Sequence, residues 1–350
     1  MRLLAKNTII LLLLIFFCPI NIYAGIDSPK IEPSNEIPLK ESNKDIISEE
    51  KKARLQQIEE LSYKGIAYLN ENKFDKAIEE YKKILQLDPK LAIAHTNIAW
   101  IYIQRKQGND LELANLELKE AIRLDPKLML AHRNLWWLYR IQDKTDEALI
   151  QLEKIIELEP DNSEQYINLG DSYLSDMKKF PLAEKTYKKA MEIESNNSYI
   201  YIKLAKALEF QKKYTNAIEV LDKAIEKFPT DCYPYLFLAI IYGKSGKSKQ
   251  IMEKMKIGLN HLQKNPMTAY QNKWSIKLLK FYAGELQEKE LLAESSTNPM
   301  WETQAFYYIG MKYLWEHSKN EATDFLKKCI EKKMIRSCEF EYAKIELSLN

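Results

Sequence analysis

From residue 58 onward, apolar and polar positions recur with a period of about 34 residues. Pro89, Pro126, Pro160 and Pro229 close successive units at spacings of 37, 34 and 69, the last spanning two units. The stretches LQLDPKLAIAH, IRLDPKLMLAH and IELEPDNSEQY around the first three prolines are near-copies. About twelve residues before each closing position stands an alanine: Ala77, Ala114, Ala148, Ala183 and Ala217. Four residues further on comes tyrosine or leucine: Tyr81, Leu118, Leu152, Tyr187 and Leu221. Alternating β-branched runs are scarce, so the chain reads as helix throughout with few or no strands.

Two segments ahead of the repeats break this pattern. Residues 1–24 read as a signal peptide: Arg2 and Lys6 form a basic start, IILLLLIFF an apolar stretch, and Ala24 a small residue before the cut. The apolar run falls short of the roughly 20 residues that a membrane span needs. The expected location is therefore periplasmic or secreted. Retention of the segment as a membrane anchor and lipidation at Cys18 are the alternatives, the second opposed by bulky Phe17. Residues 25–45 scatter Pro29, Pro33 and Pro38 among polar residues and read as a flexible linker. Helix is expected from near Ile46.

The coordinated repeat positions resemble the tetratricopeptide repeat (TPR), a two-helix unit of about 34 positions. Small residues recur at position 8, Tyr or Leu at 11, Ala at 20, an aromatic or Leu at 24, Ala at 27 and Pro at 32, and the match covers five units over residues 58–231. The resemblance implies an all-α fold, a TPR α-solenoid of antiparallel helix pairs stacked into a right-handed superhelix, with about six repeats over residues 46–265. One hairpin cannot bury its own apolar stripe; stacked neighbours bury it jointly and leave a concave face. Unit two carries about three extra residues at KQGND, and unit four one extra near Lys178–Pro181. A sixth unit, 232–265, keeps Tyr242 at position 11 but has Ile251 where Ala is usual.

Residues 266–350 read as a diverged helical hairpin broken at Gly284, a final TPR-like unit carrying Gly310, Tyr313, Ala322 and Leu326, and a capping helix near Ser337–Leu349. This part, with W-x-I-x(4)-F-Y-x-G from Trp274 to Gly284, then FYYIGMKYL and EFEYAKIELSL, resembles the C-terminal part of bacterial envelope TPR lipoprotein adaptors. The resemblance implies an adaptor role in cell-envelope assembly or in regulating a periplasmic protease and peptidoglycan hydrolases.

The repeat register assigns candidate binding residues. In LAHRNLWWLYR, Trp136 falls at position 8, in the packing stripe, and Trp137 at position 9, facing the groove between Arg133 and Arg140. Unit two repeats the arrangement with Asn97 and Trp100, and unit four offers Asn168 and Asp171. Asn97, Asn134 and Asn168 are expected to form a ladder along one groove edge. A side-chain amide pairs with the N–H and C=O of an extended peptide without reading its sequence. Trp100 and Trp137 offer flat apolar surface, and Arg133 and Arg140 can grip a carboxylate. The plainer reading is that asparagine at position 6 is ordinary repeat usage and the indoles pack on neighbouring helices.

Other chemistry finds little support. His95 and His132 both fall at position 4, in the packing stripe, so no metal is expected. GKSGKSKQ (243–250) has Ile241 where a phosphate loop needs glycine, and no cofactor is expected. The formal charge of +2 becomes about zero without Arg2 and Lys6, which argues against nucleic acid as a partner. Cys329 and Cys338 are a candidate disulfide joining the last hairpin to the capping helix; a buried reduced thiol at Cys329 is the alternative. No nucleophile–base pair stands out, so the chain is expected to be no enzyme. Its expected role is an exported scaffold for a partner protein or peptide, with self-assembly of Tyr-rich faces as the alternative.

Overall fold

The computed structural model describes residues 49–264, 272–334 and 337–349. Among them lie 17 α-helices, one π-helical segment and no strand. The expected signal peptide (1–24), the linker (25–45) and the helix start at Asn265–Pro266 lie outside the described residues. No helix among the described residues is long and apolar enough to cross a membrane. The chain divides into two compact units, Met1–Pro160 and Asp161–Asn350.

The first unit holds three hairpins: α1 (Glu49–Asn70) with α2 (Phe74–Leu87), α3 (Ala92–Arg105) with α4 (Asp110–Leu124), and α5 (Met129–Ile141) with α6 (Thr145–Leu158). The closing prolines explain where α2, α4 and α6 stop. A residue before proline is pushed out of helical geometry, and Asp88, Asp125 and Glu159 adopt ψ of 91°, 95° and 74°. The alanines at position 20 are buried and let paired helices approach closely. The tyrosine at position 24 fills the space left at position 8: a Cβ added to Gly65 would meet the Tyr81 ring at 2.7 Å. The long KQGND turn is clamped by Arg105, whose Nε and Nη2 donate to both carboxylate oxygens of Asp110 at 2.9 and 2.6 Å. Arg105 also reaches Asp75, and the Gln107 backbone N–H donates to Asp110 at 2.8 Å.

The second unit continues with α7 (Ser163–Asp171), a π-helical segment (Ser172–Asp176), α8 (Phe180–Ile193), α9 (Ser198–Phe210), α10 (Tyr214–Lys227), α11 (Tyr233–Lys244) and α12 (Lys249–Gln263). The extra residue of unit four, expected near Lys178–Pro181, is taken up inside the helix. A π segment adds one residue per turn without breaking the axis. Then follow α13 (Lys273–Tyr282), α14 (Glu288–Ser295), α15 (Pro299–Trp315), α16 (Lys319–Glu331) and α17 (Cys338–Leu349). Gly310 of α15 meets Leu326 of α16, as the final TPR-like hairpin requires.

Residues from 272 onward do not make a body of their own. α13 and α15 pack on α11, and one continuous core runs from Leu174 through Phe237 and Tyr308 to Ile345. The reason lies in α11, whose PYLFLAIIYG run from Pro234 to Gly243 is buried on every side. A helix apolar all round must be covered all round.

Candidate functional site

In the first unit, α3 bears Asn97 and Trp100, α5 bears Arg133, Asn134, Trp137 and Arg140, and the two helices pack on each other. Adjacent side chains on a helix diverge by about 100°, so the tryptophan pair splits. Trp136 keeps 3% exposure, while Trp137 and Trp100 are half-exposed. Where units one and four pair glycine at position 8 with tyrosine at position 24, unit three pairs Trp136 with Leu152, exchanging volume across the hairpin.

Arg140 sets its guanidinium 5.6 Å from the centre of the Trp136 ring, one helical turn away. Two placements differ from expectation. Asn97 and Asn134 are buried rather than lined up on an open edge, because the packing of α3 on α5 covers position 6. Asn168 and Asp171 fall in the second unit, so the expected residues divide between two bodies.

Burial leaves polar atoms of Asn97 and Asn134 unsatisfied. Asn134 has 1% exposure, and neither its Nδ2 nor its Oδ1 has a hydrogen-bond partner. The Asn97 Oδ1 and the Arg133 Nε also lack one. A buried polar group left unpaired costs about 1–3 kcal/mol. Arg133 donates only weakly, from Nη2 to the Met129 sulfur at 3.9 Å. Arg105 and Arg123 hold carboxylates, whereas neither Arg133 nor Arg140 has an ion-pair partner among the described residues. The half-exposed tryptophans, the unsatisfied atoms of Asn97 and Asn134 and two guanidiniums without a carboxylate lie on one pair of packed helices.

The second unit satisfies the same register positions from within. Asp171 accepts from Lys203 Nζ at 2.9 Å and from the Tyr187 hydroxyl at 2.5 Å, so its carboxylate is committed. Asn168 remains half-exposed. Lys203 and Lys206 stand at positions 6 and 9 of α9, and both are buried. Sequence reasoning passed over them. The signal was available in the near-continuous apolar character of YPYLFLAIIYG, which already demanded a cover.

Residues 58–91, 164–197 and 199–231 match the tetratricopeptide repeat. The fold is an all-α TPR solenoid. A tetratricopeptide repeat protein from Parabacteroides merdae is similar at 17% identity and a TM-score of 0.53, over 84% of this chain and 100% of that one. The C-terminal part of a TPR repeat-containing protein from Cytophaga hutchinsonii is similar at 16% identity and a TM-score of 0.50, over 77% and 94%. These likenesses concern the fold alone.

Within the TPR hairpins the position-4 histidines do structural work. His132 lies between Gln151 Oε1 at 2.9 Å and the Pro126 carbonyl at 3.0 Å. His95 lies between Glu117 Oε2 at 2.6 Å and the Pro89 carbonyl at 3.5 Å. Each ties its own second helix to the proline that closed the preceding unit. The hydrogen bond to Glu117 raises the His95 pKa against the opposing effect of burial. The candidate disulfide is absent: Cys329 and Cys338 are free thiols. Each sulfur is directed at Glu339 instead, Cys329 toward its carbonyl at 3.8 Å and Cys338 toward Oε2 at 3.4 Å. Burial pushes both thiols up, which disfavours the reactive thiolate.

Proposed function

We propose that the chain is a non-catalytic, exported scaffold that holds an extended segment of a partner protein on the α3–α5 face of its first unit. The observation that carries this reading is the pair of half-exposed indoles, Trp100 on α3 and Trp137 on α5, carried by two helices that pack on each other. Trp100 and Trp137 supply rigid apolar contact at low entropic cost. Arg133 favours a carboxylate-bearing partner, since its guanidinium has no counter-charge of its own. Export rests on residues 1–24, and an adaptor role in the cell envelope on the C-terminal resemblance.

The test compares the wild-type chain with the double variant Asn134→Ala, Trp137→Ala as baits on envelope extract, with far-UV circular dichroism as the control. The variant is expected to keep its helicity and lose capture by about tenfold or more, the loss typical when an anchoring aromatic is removed. A partner retained equally by both baits overturns the reading. Export is tested separately, by fractionating cells for the full chain and for a form with Leu12→Arg in the apolar stretch.

A further inference from the structure

The groove positions of the second unit are filled by the chain's own last helix. α17 presents Glu339, Tyr342, Ala343 and Glu346 on one face, all buried. Tyr342 lies edge-on to Phe237 of α11 at 5.7 Å and to Phe210 of α9 at 6.4 Å. The Lys203 and Lys206 ammonium groups sit 5.5 and 4.8 Å from the centre of its ring. Glu346 accepts from Lys244 at 2.6 Å and lies 3.6 Å from Lys206. At the other end Glu339 accepts from Gln304 Nε2 at 3.0 Å and from the Ser337 hydroxyl at 2.7 Å.

Charge as well as apolar packing seats α17 in this core. Three lysines, 203, 206 and 244, point inward from α9 and α11, against only Asp171 and Glu209 on the repeats themselves. The remaining negative charge comes from α17. Lys206 is fully buried and also donates to the Tyr307 hydroxyl at 3.2 Å. Buried ion pairs of this kind roughly balance their desolvation cost, so they select a partner more than they stabilise one. The Tyr342 hydroxyl is buried without a partner, a further sign that the fit is imperfect.

We propose that the slot between α9, α11 and α15 is a binding site for an acidic, aromatic helix of a partner protein, and that α17 is its resident occupant. The recognised pattern is a carboxylate, an aromatic three residues on and a second carboxylate four further, on one helix face. α17 must yield before the partner helix enters, so apparent affinity is reduced by the fraction of time the slot is open. This site is distinct from the α3–α5 face and stands or falls without it.

The probe is a fluorescent peptide of residues 337–350 carrying Cys338→Ser. It is titrated into the full wild-type chain and into full chains with Glu346→Lys or the milder Glu346→Gln, which unseat α17 by setting it against Lys206 and Lys244 or by removing its charge. Binding is expected to tighten by about tenfold or more in the Glu346→Lys chain, with Glu346→Gln between. A peptide that itself carries E346K is expected not to bind. Equal or absent binding across folded chains overturns the proposal. Loss of a cooperative melt in both variants overturns it too, since α17 would then be core. So does a variant chain that dimerises by light scattering, whose occupant would be a second copy.

Discussion

Glycine at position 8 and tyrosine at position 24 act as a matched pair, and Gly170 with Tyr187 is the tightest example among the repeats. A Cβ on Gly170 would fall 2.5 Å from the Tyr187 ring, and that ring is held by its hydroxyl on Asp171. Gly170→Ala is therefore expected to cost about 1–3 kcal/mol by overpacking, read as a lower midpoint in urea unfolding. Asn134 predicts the reverse. Its amide makes no hydrogen bond, so Asn134→Ala is expected to leave the melting temperature unchanged or raised, although the residue is buried and polar. Tyr342→Phe follows the same logic and is expected to be near neutral, because the lost hydroxyl has no partner. The split of Trp136 and Trp137 could be read from register alone. The unpaired state of Asn134 could not, because hydrogen bonding depends on which helix arrives opposite.

Between helices, charge contacts fasten α8 to the turn between α9 and α10. Glu184 of α8 accepts from Lys188 at 2.6 Å, from Lys213 at 2.8 Å and from Gln211 at 3.0 Å. Burial pushes its carboxyl up, but the two lysines and the amide outweigh this and hold it at about 2. A depressed value contributes stability above the ordinary glutamate range near about 4.3 and loses it as pH falls toward the folded value. Wild-type chain is expected to lose more thermal stability than Glu184→Gln between neutral pH and pH of about 2. His95 works in the opposite direction. Its raised value makes the Glu117 contact fully effective below about 6.5 and lost as pH rises through the folded value. The melting curve of His95→Gln is expected to be flatter with pH across that window. At this scale the Asp-Pro and Glu-Pro turns were legible as helix ends, since proline geometry is local. The π-helical segment at Ser172–Asp176 was not, because an extra residue can be absorbed in a helix or in a turn at similar cost.

For the whole molecule, the formal charge of +2 includes Arg2 and Lys6, and removal of residues 1–24 leaves about zero. Phosphate backbones bind through released counterions, so the chain without residues 1–24 is expected to pass through a heparin column at low salt; retention beyond moderate salt would reveal a basic face that net charge conceals. The two units differ in what covers their groove positions. In the first, Trp100 and Trp137 stay half-exposed; in the second, Lys203, Lys206 and Phe237 are buried beneath α15 and α17.

The sequence by itself determined the helical class, the repeat period, the hairpin ends and which side of each first helix packs. These follow from local geometry: proline ends a helix, small residues admit a neighbour, and residues three and four apart share a face. Only the tertiary structure decided that Asp171 is spent on Lys203, that Cys329 and Cys338 stay unbonded, and that the second unit's groove is occupied. The last of these depends on α11 and α17 meeting across more than a hundred residues, as Lys244 and Glu346 do, and no local pattern encodes such a meeting.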